Sequence, residues 1–249
     1  MSDSVFRPGT GESFVRDALT ALQQAAAGMG LALAAPDYEL ARKWLEFYSR
    51  WPGRRVIGFT GPQDTAVKLL ADSFAVRYVA GTLEDGPAVD LGSGNGWPGL
   101  ALHDREEVLL LDSRKGACDF MRGFVHFAGL NTVRVLEGRA EEAGRDPSIA
   151  ARFGVAVTRA MASPGVACEL AAPFLKSHGT LVLWLGPEQE GAVNTRESIP
   201  EIGLTLAGLH RYVLPEGMGR RALAVYRKTS PLSPGFPRKM VTIKAKPLF

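Results

Sequence analysis

Val89-Asp90-Leu91-Gly92-Ser93-Gly94-Asn95-Gly96-Trp97-Pro98-Gly99 decides how the chain is read. Pro87 to Leu91 has strand character, and four glycines follow it within eight residues. Glycine lacks a Cβ, so a turn of this composition lets main-chain N–H groups come close to a ligand. An ordinary glycine-rich loop is the plainer reading, but a place at the carboxyl end of a first parallel strand favours a nucleotide-like ligand. Gly94, Gly96 and Gly99 also satisfy G-x-G-x-x-G, which leaves a dinucleotide-binding oxidoreductase open. Asp90 points elsewhere. A pyrophosphate already carries negative charge, whereas the sulfonium and ammonium of S-adenosylmethionine are cations that a carboxylate attracts directly or through water.

Outward from the turn, the chain changes texture. Residues 1–80 read as a helical cap, with Phe14 to Met29, Tyr38 to Trp51 and Thr65 to Val79 as helical segments and Trp51-Pro52-Gly53 as a break. Residues 81–249 alternate β-rich and helical runs, as an α/β domain does. Seven strands are expected: Pro87 to Leu91, Val108 to Asp112, Thr132 to Glu137, Gly154 to Thr158, Thr180 to Leu185, Leu204 to Leu214 and Ala222 to Arg227. The first five are Val/Leu-rich without alternation and separated by helix-sized segments, which predicts a parallel sheet covered on both faces. Only Pro215 to Arg221 separates the last two, so they form a hairpin and add an antiparallel edge. The expected fold is a Rossmann-like α/β domain, its seven-stranded mixed sheet ending in an antiparallel strand.

Asp112 ends the second strand about 20 residues after the turn begins, where an acid can accept from both ribose hydroxyls. It could instead cap a helix over Ser113 to Ala128.

Length and composition fit this scheme. The 249 residues are 46% hydrophobic and 22% charged with net charge +3, enough for one substantial core and no push towards disorder. Gly217 to Phe249 holds Arg220, Arg221, Arg227, Lys228, Arg238, Lys239, Lys244 and Lys246 and no acid, so the tail is strongly basic. Cys118 and Cys168 form no CxxC pattern, which argues against a zinc site or a disulfide framework and fits a reducing cytoplasm. Leu19 to Ala35 is interrupted by Gln23, Gln24 and two glycines, so neither a membrane span nor a signal peptide is expected.

The segments VDLGSGNGWPGLAL, LLLDSRKGACDFM, LEGRAEE and VTRAMA resemble, in order and spacing, those of the 16S ribosomal RNA guanine-N7 methyltransferase family RsmG, also called GidB. TGPQDTAVKLLADSF upstream and FPRKMVTIKAKPL at the end extend the resemblance over most of the chain. It implies a class I methyltransferase using S-adenosylmethionine, acting on 16S ribosomal RNA or the small ribosomal subunit. A cytoplasmic monomer is expected.

Carried over by position, the resemblance implies cofactor contacts at Gly92 and Trp97 in the turn, alongside Gly94. It adds Asp112, Ser113 and Arg114 at the end of the second strand, and Ala140 and Glu141 on the adenine side. Arg159, after the fourth strand, is the candidate catalytic residue, able to pair with a phosphate or the cofactor carboxylate, or to form a surface ion pair instead. Trp97 could alternatively be core, and Glu141 with Glu142 a solvated helix face. The sequence departs from the family where a His becomes Leu69, a Lys becomes Leu185, and Asn-Leu-Thr becomes Gly58-Phe59-Thr60.

Methyl transfer from a sulfonium is an in-line displacement in which positioning the acceptor lone pair supplies much of the catalysis. Enzymes acting on exocyclic amines commonly carry Asn/Asp-Pro-Pro-aromatic after the fourth strand; here Val157-Thr158-Arg159-Ala160-Met161 stands there. Pyrimidine carbon-5 chemistry needs a thiolate, usually in Pro-Cys, and neither cysteine follows a proline. Guanine N7 offers an unprotonated in-plane lone pair and needs neither device. Arg42, Lys43, Arg50, Arg54, Arg55 and the basic tail are candidate phosphate contacts, with Phe236 and Phe249 interleaved. A nicotinamide-dependent oxidoreductase and a catalytically silent RNA-binding protein are the alternative functions.

Overall fold

The computed structural model describes residues 11–194 and 196–249; residues 1–10 of the expected helical cap lie outside them. The cap begins with α1 (Glu12–Met29) and α2 (Ala35–Arg50). Phe14, Ala18, Ala21, Leu22 and Ala25 recur at helical spacing, so α1 buries one stripe, and Gly30 ends it in the left-handed conformation. The segment expected as one helix from Thr65 to Val79 is broken in type. It runs through α3 (Pro62–Asp64), a π-helical stretch (Thr65–Ala71), α4 (Asp72–Phe74) and a 3-10 stretch (Ala75–Thr82).

The sheet contains β1 (Ala88–Leu91), β2 (Val108–Asp112), β3 (Val133–Glu137), β4 (Phe153–Arg159), β5 (Leu175–Leu185), β6 (Ser198–Ile199), β7 (Leu204–Leu214) and β8 (Gly219–Lys228), in the order β3-β2-β1-β4-β5-β8-β7-β6. The connections use α5 (Lys115–Ala128), α6 (Ala140–Ala143), α7 (Pro164–Ala171) and α8 (Pro187–Asn194), and α9 (Met240–Ala245) lies near the C-terminus. β1 to β5 pair in parallel, and every residue of β1 and β2 is buried, as unbroken apolar strands covered on both faces should be. One expectation is corrected. The described sheet has eight strands, because Ser198 and Ile199 add a two-residue rung to β7 too short to show as a pattern. The β7–β8 hairpin adds the expected antiparallel extension beyond β5, with β8 lying between β5 and β7.

Cap and sheet share one apolar cluster that runs from Phe14, Leu22 and Trp44 through Phe120 to Leu110 and Val225. Trp44 stacks on Tyr48, meets Phe120 edge-on, and donates its indole N–H to the Asn95 carbonyl at 3.0 Å. The cap therefore holds the glycine turn directly. No described helix is long and apolar enough to cross a membrane.

Candidate cofactor and acceptor cleft

Strand order reverses between β1 and β4, and the glycine turn leaves the carboxyl end of β1 at that switch point, where open α/β sheets bind ligands. Gly92, Gly94 and Gly96 all take positive φ, which a side chain would oppose. Gly99 has an ordinary backbone but no room: a Cβ there would stand 2.6 Å from that of Asp90.

Asp90 is fully buried and does not line the cleft. Its Oδ2 accepts the Gly99 N–H at 2.8 Å, and its Oδ1 has no partner among the described residues. Burial pushes this carboxyl up to about 7, opposed by the Gly99 N–H and the charge of Arg159. Asp90 was expected beside a cationic ligand, directly or through water; here its carboxylate turns to Gly99 and braces the turn from beneath.

Asp112 is buried at the cleft wall and ties two segments together. Its Oδ2 accepts the Gly94 N–H and its Oδ1 the Arg114 N–H, each at 2.8 Å. Arg114, not Asp112, occupies the cap position of α5, and its side chain is 72% exposed while resting 3.2 Å from the carboxylate. Two connected hollows flank Gly92. One, of about 380 Å³, is walled by Asp112, Ser113, Arg114, Ala140 and Glu141. The other, of about 860 Å³, includes Gly94, Trp97, Lys68, Arg159 and Arg221. Gly92, Arg114, Ala160 and Ala162 border both. All ten sequence-predicted site residues except Asp90 thus meet along one cleft.

Trp97 serves two roles. It is buried in the core, edge-on to Phe74 at 5.2 Å, and also forms part of the larger hollow's wall. Arg159 forms an ion pair that is partly buried rather than at the surface. Its guanidinium contacts Asp72 Oδ2 at 3.0 Å and donates to the Lys68, Leu69 and Trp97 carbonyls. Tyr212 donates to Asp72 Oδ1 at 2.6 Å, and Trp184 to the Asp72 carbonyl at 2.7 Å. Burial and the neighbouring Asp72 charge raise the Tyr212 phenol. Asp72 and Tyr212 were missed in the sequence as site residues; the Asp72-Ser73 pair in the upstream segment was the available signal, and Tyr212 had none.

The departures at Gly58, Phe59, Leu69 and Leu185 all line the larger hollow. Cys118 and Cys168 are buried, and burial raises both thiols, which suits core residues rather than nucleophiles. No cluster of potential metal ligands occurs among the described residues. The basic tail is not a free arm: Arg238 engages Glu169, Arg227 reaches Glu84, and Lys228 is buried against the Ala172 and Ile202 carbonyls. Arg42, another expected phosphate contact, pairs with Glu39 and Glu46 on its own helix.

Comparison with known proteins places this geometry. Residues 38–203 match the family model described as GidB, rRNA small subunit methyltransferase G. A Carboxydothermus hydrogenoformans protein named ribosomal RNA small subunit methyltransferase G is 34% identical over 193 residues, spanning 76% of this chain and 82% of the relative. A protein of the same name from Symbiobacterium thermophilum is 27% identical over 237 residues, 91% of this chain and 96% of the relative. Among solved structures, a candidate RNA methyltransferase from Pyrococcus horikoshii matches 85% of this chain and 100% of its own, with TM-score 0.50 and 13% identity, which bears on the fold alone.

Proposed function

The chain belongs to the rRNA small subunit methyltransferase G family, and on that premise we propose that it transfers a methyl group from S-adenosylmethionine to guanine N7 of 16S ribosomal RNA. The observation that carries the reading is the single cleft running past Gly92, with Asp112 on one side and Arg159 on the other. The residues fit the donor. The side-chain-free turn admits its methionine part, Asp112 stands where ribose hydroxyls would donate, and Ala140 and Glu141 bound a space for the adenine. Ser113 and Arg114 close the same wall, and Asp90 keeps the turn in shape.

When bound, S-adenosylmethionine supplies an electrophilic methyl group. The protein's own task is positioning. Arg159, fixed by Asp72 and the Lys68 and Leu69 carbonyls of the π-helical stretch, presents positive charge at the boundary between donor and acceptor spaces. Lys68, Arg114 and Arg221 border the larger hollow and offer charge to the phosphates of an entering RNA. N7 needs no proton removed before attack, in keeping with buried thiols and with the absence of a general base in this reading. The oxidoreductase and silent-binder alternatives find no support in relatives named as methyltransferases.

Mapping N7-methylguanosine in 16S ribosomal RNA from cells with and without the gene tests the proposal. One guanosine should lose its methyl group in the deletion and regain it on complementation; an unchanged N7-methylguanosine profile would contradict it.

A further inference from the structure

The C-terminal segment, whose charge suggested an RNA arm, lies against the smaller hollow. Arg238 anchors it. Its guanidinium meets both oxygens of Glu169, at 2.6 Å to Oε2, and its main-chain N–H donates to Oε1 at 2.8 Å. Glu169 is completely buried, so Arg238 is the partner that keeps it from being left alone in the core. The Arg145 guanidinium donates to the Pro237 carbonyl, and Arg196 to that of Leu248. The final residue packs so closely on α7 that a Cβ at Gly165 would stand 2.5 Å from the Phe249 carbonyl oxygen. Between these anchors Ile243 is fully buried with Val166 and Leu170, while Met240 and Lys244 line the hollow together with Ala140 and Glu141.

We propose that the C-terminal segment is part of the cofactor site: Met240 packs on the adenine ring and Lys244 donates to a ring nitrogen at its edge. This rests on the assignment of the smaller hollow to adenosine. A thioether beside an aromatic face is a favourable contact, and Met adapts its shape to fill the gap. Both side chains lie on one short helix whose buried Ile243 fixes its rotation. Val241, on the same helix, is 82% exposed and faces away. Since cofactor and segment share a surface, each must stabilise the other's bound arrangement.

The test uses the full-length protein and S-adenosylhomocysteine, without any methyl acceptor. Calorimetry should show Met240→Ala weakening binding by about five- to tenfold, with Val241→Ala unchanged. In the wild-type protein, S-adenosylhomocysteine should slow tryptic cleavage after Lys239 and Lys244; this arm decides the matter if Met240→Ala does not fold. Wild-type binding with equal affinity in Met240→Ala and unaltered cleavage would overturn the inference while leaving the cofactor reading standing. No binding by the wild-type protein would remove both.

Discussion

Asp112 shows what a single carboxylate does here before any ligand arrives. Its two oxygens hold the Gly94 and Arg114 main-chain N–H groups, joining the glycine turn to the start of α5. A carboxylate also has lone pairs to spare for hydroxyl donors. Asp112→Ala should weaken S-adenosylhomocysteine binding by about 1 to 3 kcal/mol, the worth of a lost charge-assisted hydrogen bond. Calorimetry measures this, and unchanged affinity would take Asp112 out of the site. The place of Asp112 at the cleft wall was legible because spacing from a glycine turn constrains reach. Asp90 was not, since sequence places it at a strand end without saying which way its side chain turns. In the structure it turns to the Gly99 N–H, where no Cβ stands in the way.

Elements impose their own constraint where the cap meets β4. A π-helical stretch breaks the regular ladder of hydrogen bonds, and Arg159 takes up the carbonyls of Lys68 and Leu69 while pairing with Asp72. Tyr212 completes the cluster from β7, 140 residues away in sequence. Tyr212→Phe leaves a buried Asp72 oxygen short of a donor. It should cost about 1 to 3 kcal/mol in urea unfolding, more than a neutral pair would lose. A midpoint and slope equal to wild type would show that the bond contributes nothing. The helical character of residues 65–79 was readable from apolar periodicity, but periodicity does not distinguish a π-helical turn from an α-helical one. A partner from the far end of the chain leaves no local mark.

Across the whole molecule, the apolar parallel strands and their helix-sized spacers were sufficient to foresee a doubly covered sheet with a terminal hairpin. They did not disclose that β8 would enter between β5 and β7, because a hairpin's sequence defines its own pairing and not its neighbour. Of the eight basic residues in the tail, Arg227 and Arg238 pair with Glu84 and Glu169 far back in the chain, and Ile243 pulls the last helix into the core. The result is one continuous structure in which the cap grips the turn through Trp44 and the C-terminal helix lines the smaller hollow of the cleft. The crystal structure of the complex with S-adenosylhomocysteine tests this arrangement most directly. The account predicts the ribose hydroxyls on Asp112 and the ligand's main axis running past Gly92; a glycine turn without ligand, and the cofactor bound elsewhere, would contradict it.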